Sequence, residues 1–329
     1  MNTPVYDPGE MPGFLVAYAQ APAMERLQNV GMHCGCEYTS FPFFRALSPY
    51  SRFDHSLSCA SLVWRFTGAM AQSLSALFHD IATPVFAHTV DFLRGDHLAQ
   101  EATESGTEDM IAASPEIRAL LAHDGIPLSA VTDYHLYPVA DNPSPRLSCD
   151  RLEYTLSNLV HFGFGDPALA QRCLNDLTVS PNEDDQPELT FRSPDLCVTF
   201  ARLALSCSRV YTADEDRYSM QILSEVLERA LRLGVITLSD LSTTEPRVIS
   251  ILESHPDTRQ LWRSFRSLSR LVTAETDAPV SLRRVVPAKK RYIDPLCPGH
   301  GRASALSSDF RADLTAYLAQ PQTHWVCAV

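Results

Sequence analysis

The chain has 329 residues, 45% of them apolar and 20% charged, with a formal net charge of −12. This is the composition of a soluble globular protein, and so acidic a chain lacks the basic footprint of a general nucleic-acid surface. No stretch approaches the ~20 apolar residues of a membrane span, and residues 1–10 lack the basic-then-apolar order of a signal peptide, so a cytoplasmic location is expected.

The pattern along the chain is helical. Residues 23–30 form a short amphipathic stretch. Residues 55–71 repeat apolar side chains at helical spacing, and Leu74, Leu77, Phe78 and Ile81 follow the i, i+3, i+4, i+7 rule. An acidic helix is expected over 97–113, with Glu101, Glu104, Glu108 and Asp109 on a solvated face. Residues 137–146 carry three prolines and read as a loop running into a helix over 149–160. Further helices fit 168–177, 196–210 and 215–233, the last stopped by Gly234. Residues 177–192 read as a hairpin whose acidic loop, with Glu183, Asp184 and Asp185, is solvated. Helices over 246–254, 257–271 and 307–318 complete the bundle, with Pro246 in a first turn and Ser307 or Ser308 as an N-cap.

Two features stand apart from that pattern. The nine cysteines form no Cys-x-x-Cys pair and are odd in number, as reduced thiols would be. Those at 34 and 36 beside His33 read as buried thiols before they read as a metal site. The only two lysines, Lys289 and Lys290, lie in the one dense basic block, residues 283–291. That extended segment suits a solvated edge, a polyphosphate or another subunit.

Three helical stretches each deliver a ligand-type side chain: His55, the neighbours His79 and Asp80, and Asp150. Imidazole nitrogens with carboxylate oxygens suit one divalent transition metal, whether Mn, Fe, Co, Ni or Zn. His79 and Asp80 close the apolar run 74–78, where a buried charge needs a partner. At a helix end both can turn to one ion, and four ligands leave room for water and substrate.

The flanking residues add a resemblance. Arg52-Phe-Asp-His55-Ser-Leu, His79-Asp80 and Asp150-Arg-Leu-Glu-Tyr154 follow the order of the HD-domain phosphohydrolase superfamily. Residues 22–27 and 79–91 look like the dNTP triphosphohydrolase branch, which includes bacterial dGTPases. The resemblance implies a mostly α fold: an HD-domain helical bundle over 20–235 with a small β-hairpin. An N-terminal segment, 1–19, would precede it, and a helical C-terminal extension, 236–329, would pack on it. It implies that His55, His79, Asp80 and Asp150 bind the metal. It implies that Arg52 and Arg151 contact substrate phosphates and that Tyr154 walls the nucleoside pocket. His88 with Asp91, and His97, would form the acid/base group. The substrate would be a small-molecule nucleotide, and helical surfaces would serve a homo-oligomer.

The departures bear on specificity. Thr83 stands where the family has a second histidine after His-Asp. Met32 and His33 fall on the family's deoxyribose-reading pair, and Gln28 falls on a position used for activator nucleotide. Strict dNTP selectivity is therefore not expected. A phosphomonoesterase, a nucleotide sensor and a di-iron oxygenase with a second ion near His88 and His97 are the rival readings.

Overall fold

The computed structural model describes residues 5–94, 106–273 and 283–329. His97, Glu101 and Glu104 lie outside the described residues. What is described is mostly helical, with two small sheets.

The central element is the helix Arg52–Thr67. Ser51 and Asp54 form a reciprocal cap at its start, and Gly68 stops it in the left-handed conformation at φ 62°. That stop comes earlier than the periodicity over 55–71 suggests, because Gly68 carries no Cβ to oppose the turn. From Phe53 to Val63 nearly every side chain is buried, and many are small: Ser56, Ser58, Cys59, Ala60 and Ser61. Small side chains let neighbours approach from several directions.

Two core clusters meet on this helix. Cys59, Leu62 and Val63 join Leu152, Leu156 and Leu159 of the helix Cys149–His161. Phe53, Leu57 and Ala60 join Leu74, Leu77 and Phe78 of the helix Met70–Phe78. Each fully buried leucine or phenylalanine contributes about 1.5–3 kcal/mol. His55 sits on the same helix and faces both partner helices. A short helix, Gly13–Ala19, adds the buried Leu15 and Tyr18 to the second cluster, so part of the N-terminal segment belongs to the core.

The hairpin forms as expected. Leu177–Pro181 pairs antiparallel with Pro187–Phe191, with Val179 opposite Leu189. Leu296–Cys297 and Gly301–Arg302 widen it to four strands, so the C-terminal region completes a sheet begun in the bundle. The hairpin loop is partly engaged: Glu183 pairs with Arg302 at 2.6 Å, and Asp184 pairs with Arg146. A second sheet sets Val326–Ala328 between Leu271–Thr273 and Arg283–Arg284.

The long helices Pro194–Tyr211 and Asp214–Arg232 cover one side, and Gly234 follows the second at φ 66°. The helices Glu245–Ser254 and Pro256–Arg266 pack there through Trp262 and Phe265, while Ser307 caps the helix Ser308–Ala319. All nine cysteines are free and buried. No helix among the described residues is long and apolar enough to cross a membrane.

Candidate metal centre

The four expected ligands come together. His55 lies in the first turns of its helix, three residues after Arg52, so both project from one face. Asp150 lies in the first turn of Cys149–His161, with Glu153 one turn on. His79 is the C-cap of Met70–Phe78 and Asp80 follows it. The helix end frees carbonyls, and His79 Nδ1 donates to one of them, Ala76 O, at 2.7 Å.

His55 Nε2 stands 3.2 Å from His79 Nε2 and 3.1 Å from Asp150 Oδ1. Asp80 Oδ2 is 3.5 Å from His79 Nε2 and 4.0 Å from His55 Nε2. Donor atoms sharing one ion at metal–ligand bonds of ~2.0–2.2 Å are about 3–3.5 Å apart in tetrahedral or octahedral geometry. Three of the spacings fit, and His79 Nε2–Asp150 Oδ1 at 3.8 Å and His55 Nε2–Asp80 Oδ2 at 4.0 Å are longer. His55, His79 and Asp80 make the tightest group, and Asp150 joins it through the two imidazoles. Among the described residues no second group of three or more such side chains converges.

The tautomers strengthen this fit. His79 gives its Nδ1 proton to Ala76 O, and His55 Nδ1 faces the Glu153 carboxylate. Both rings thereby present Nε2 to each other. Two imidazole lone pairs this close need a cation between them, a proton or a metal. Burial pushes His55 down, yet Glu153 and Asp150 outweigh it and raise the ring to about 10. Burial also opposes ionised Asp80, but Arg52, His79 and His55 hold it well below the usual carboxylate range. Asp150 is held down to about 2, against burial, mainly by His55. The pocket is built around positive charge.

Arg52 is buried and binds Asp80, Nη1 to Oδ2, at 3.0 Å. Thr83 Oγ1 donates to Asp80 Oδ1 at 2.6 Å. The residue that replaces the family's histidine therefore supports a ligand. His88 and Asp91 form the expected pair, Nδ1 to Oδ2 at 2.8 Å, and burial keeps His88 below its ordinary value. His88, Arg52, Tyr154 and the four candidate ligands line one chamber of about 180 Å³. Phe44, Phe92, Phe162, Val210 and Met220 form its apolar side.

Arg151 departs from its expected role. Its guanidinium bonds to Asn142, donates to Arg146 O at 2.7 Å and pairs with Asp141 at 3.1 Å. It ties down the loop before its helix, and these protein partners occupy the fork that was expected to meet phosphate. His97 is not among the described residues, so its role stays an expectation.

Three further residues lie in or beside the chamber. Glu153 is fully buried beside His55 and also takes hydrogen bonds from Tyr50 and Ser157. Its i, i+3 spacing from Asp150 was the available signal. Asp216 lines the chamber with its carboxyl pushed up by burial to about 8. The His33 ring also lines it, and Nε2 is shielded from solvent with no hydrogen-bond partner. Nothing local in the sequence marks Asp216, whereas His33 was singled out beside Cys34 and Cys36.

No family model matches the chain. Over 291 residues it is 27% identical to the metal-dependent phosphohydrolase cns2 of Cordyceps militaris, covering 85% of this chain and 79% of that protein. These likenesses support the HD-domain phosphohydrolase superfamily. The chain is also 24% identical over 204 residues to YdhJ of Bacillus subtilis, an uncharacterized protein, covering 62% of one and 61% of the other. Its fold is similar to that of a phosphohydrolase from Bacteroides thetaiotaomicron, with TM-score 0.69, 15% identity and coverage of 100% and 99%. The triphosphohydrolase branch is not singled out by any of them.

Proposed function

We propose that this chain is a metal-dependent hydrolase that cleaves phosphate ester or anhydride bonds of a nucleotide or nucleotide-like small molecule. Triphosphate release from a dNTP is the first substrate class to test, and a nucleotide phosphomonoester is the second. The observation that carries the reading is the approach of His55 Nε2 to His79 Nε2 and Asp150 within 3.2 Å, in one chamber with His88, whose Nδ1 bonds to Asp91.

His55, His79, Asp80 and Asp150 would hold the ion. When bound, it supplies a Lewis acid and lowers the pKa of water. The protein's own groups do the rest. Glu153 and Ala76 O fix the tautomers of the two histidines. Arg52 keeps Asp80 anionic and adds positive charge where charge develops on phosphate. Asp91 anchors His88 Nδ1 and leaves Nε2 as the ring atom for moving a proton to or from a reacting oxygen. Phe44, Phe92 and Phe162 offer an apolar wall for the uncharged part of the substrate. The chamber is small against the ~300–1,000 Å³ of typical ligand sites, so a substrate must also extend out of it.

The test is a product-resolved screen of nucleotides with Mn, Co, Ni, Mg or Fe added, measuring phosphate, pyrophosphate and triphosphate separately. Met32 and His33 both line the chamber, so matched ribo and deoxyribo pairs should differ by only ~10²-fold or less. Inactivity on every nucleotide, with metal bound, would overturn the reading.

A further inference from the structure

The short helix Pro22–Glu25 and the helical turn Arg26–Asn29 join the second core cluster through Met24 and Leu27, both fully buried. Arg26 stands between these two anchors, so its side chain starts from a fixed backbone. Its guanidinium meets three carbonyl oxygens. Nη2 donates to Ile81 O and to Thr83 O, each at 2.8 Å, and Nη1 donates to Thr243 O at 3.1 Å. One planar fork thus ties the N-terminal turn to the residues just after His79 and Asp80, and to a segment 217 positions further on.

Ile81 and Thr83 belong to the turn that carries Asp80. Ile81 N donates to Phe78 O and Thr83 N donates to Asp80 O, both at 2.9 Å. Thr83 Oγ1 donates to Asp80 Oδ1 at 2.6 Å. The helix Met70–Phe78 has already ended, so Ile81 O and Thr83 O have no helical N–H to meet, and Arg26 supplies one. The far anchor is also secured, because Val85 N donates at 2.8 Å to Leu241 O, two residues before Thr243.

Burial pulls the guanidinium of Arg26 down to about 10, partly offset by Asp80, so it remains a cation at neutral pH. Neutral carbonyls orient that cation without cancelling its charge. Arg52 bonds the Asp80 carboxylate directly, whereas Arg26 grips the backbone on which Asp80 is mounted.

We propose that Arg26 is a positioning residue for the metal centre: by holding Ile81 O and Thr83 O it sets the turn that presents Asp80 to the ion. The inference rests on the metal-dependent hydrolase reading and extends it to a residue that acts through backbone carbonyls.

The test is titration of the metal-depleted full-length protein with Mn, and with Co for its visible absorption. Wild type is compared with Arg26→Gln, Arg26→Lys, Thr83→Val, and Arg26→Gln with Thr83→Val together. Arg26→Gln should weaken Mn about tenfold or more and change the Co spectrum, since losing an outer partner of a metal ligand costs ~10–100-fold in affinity. Arg26→Lys should recover part of that loss, because an ammonium still donates to the turn but lacks the fork that also reaches Thr243 O. The Arg26 and Thr83 losses should be less than additive, because both act on one turn. A merely structural arginine would lower the melting temperature and leave Mn affinity and the Co spectrum as in wild type, and that result would overturn the proposal. So would fully additive losses, or failure of both Arg26 variants to fold. Wild type that binds neither metal would sink the metal centre and this proposal with it. Unchanged Mn affinity in an Arg26→Gln protein that still hydrolyses nucleotides would refute the positioning role and keep the enzyme. Weakened affinity, with a wild type that hydrolyses no nucleotide, would do the reverse.

Discussion

Glu245 Oε1 accepts a hydrogen bond from Phe86 N at 3.1 Å, across 159 residues of sequence. The same oxygen accepts from Gly31 N at 3.0 Å, and Oε2 accepts from Tyr38 Oη at 2.7 Å. Gly31 leads into Met32 and His33, and Phe86 leads into His88. These segments are strained: Cys34, Phe86 and Ala87 have φ of 56°, 60° and 43°. Positive φ at such residues costs ~1–3 kcal/mol each and persists only where the surroundings enforce it. A carboxylate from the C-terminal third thus holds two walls of the chamber.

Glu245→Ala should therefore leave three buried donors unpaired, at ~1–3 kcal/mol each, and lower turnover at unchanged metal content. Glu245→Gln keeps an acceptor and should lose much less. Thermal melts, metal analysis and kinetics of both variants check this, and equal stability of Ala and wild type would contradict it.

His88→Ala should cut kcat by ~10²–10⁴-fold while the protein keeps its metal. Asp91→Asn should lower the rate less and change the pH–rate profile, because Asp91 acts through His88. Unchanged kinetics in both would mean that the pair is structural.

Asp216 gives a pH signature. Burial raises its carboxyl to about 8, against ~3.9 in an unfolded chain. Between those values the folded protein holds a proton that the unfolded chain releases, so this group's contribution to stability falls as pH rises from about 4 through 8. Asp216→Asn mimics the protonated form. Its melting temperature should gain on wild type steadily over that window and level off above it. A difference that is flat with pH would show that Asp216 titrates normally.

Much of the fold was legible because the longer helices are periodic and several of them carry a capping residue. Ser51, Gly68, Gly234 and Ser307 mark ends that local chemistry dictates. The candidate ligands could be picked out because each sits against an apolar helical run with family-like flanks, and the structure brings them together. The two-residue strands Leu296–Cys297 and Gly301–Arg302 were not, since two residues carry no alternation to read. Arg151 suggested a phosphate contact by type and place, but only the folded loop shows Asn142, Arg146 and Asp141 occupying its fork. Glu245 reaches the chamber walls by tertiary packing from far along the chain, which no local pattern announces.

Glu153→Gln should weaken metal affinity by ~10–100-fold, the usual cost of losing a carboxylate that orients a ligating histidine. Titration of metal-depleted protein with Mn or Co measures this. Wild-type affinity in the variant would show that His55 needs no such partner.

The central claim is that His55, His79, Asp80 and Asp150 hold one ion. Metal content of the purified full-length protein, measured by mass spectrometry beside His79→Ala, Asp80→Ala and Asp150→Ala, tests it most directly. About one transition-metal ion per wild-type chain is expected, with substoichiometric content in each folded variant. Full occupancy in all three variants, or wild-type protein that binds no transition metal when it is supplied, would contradict the account.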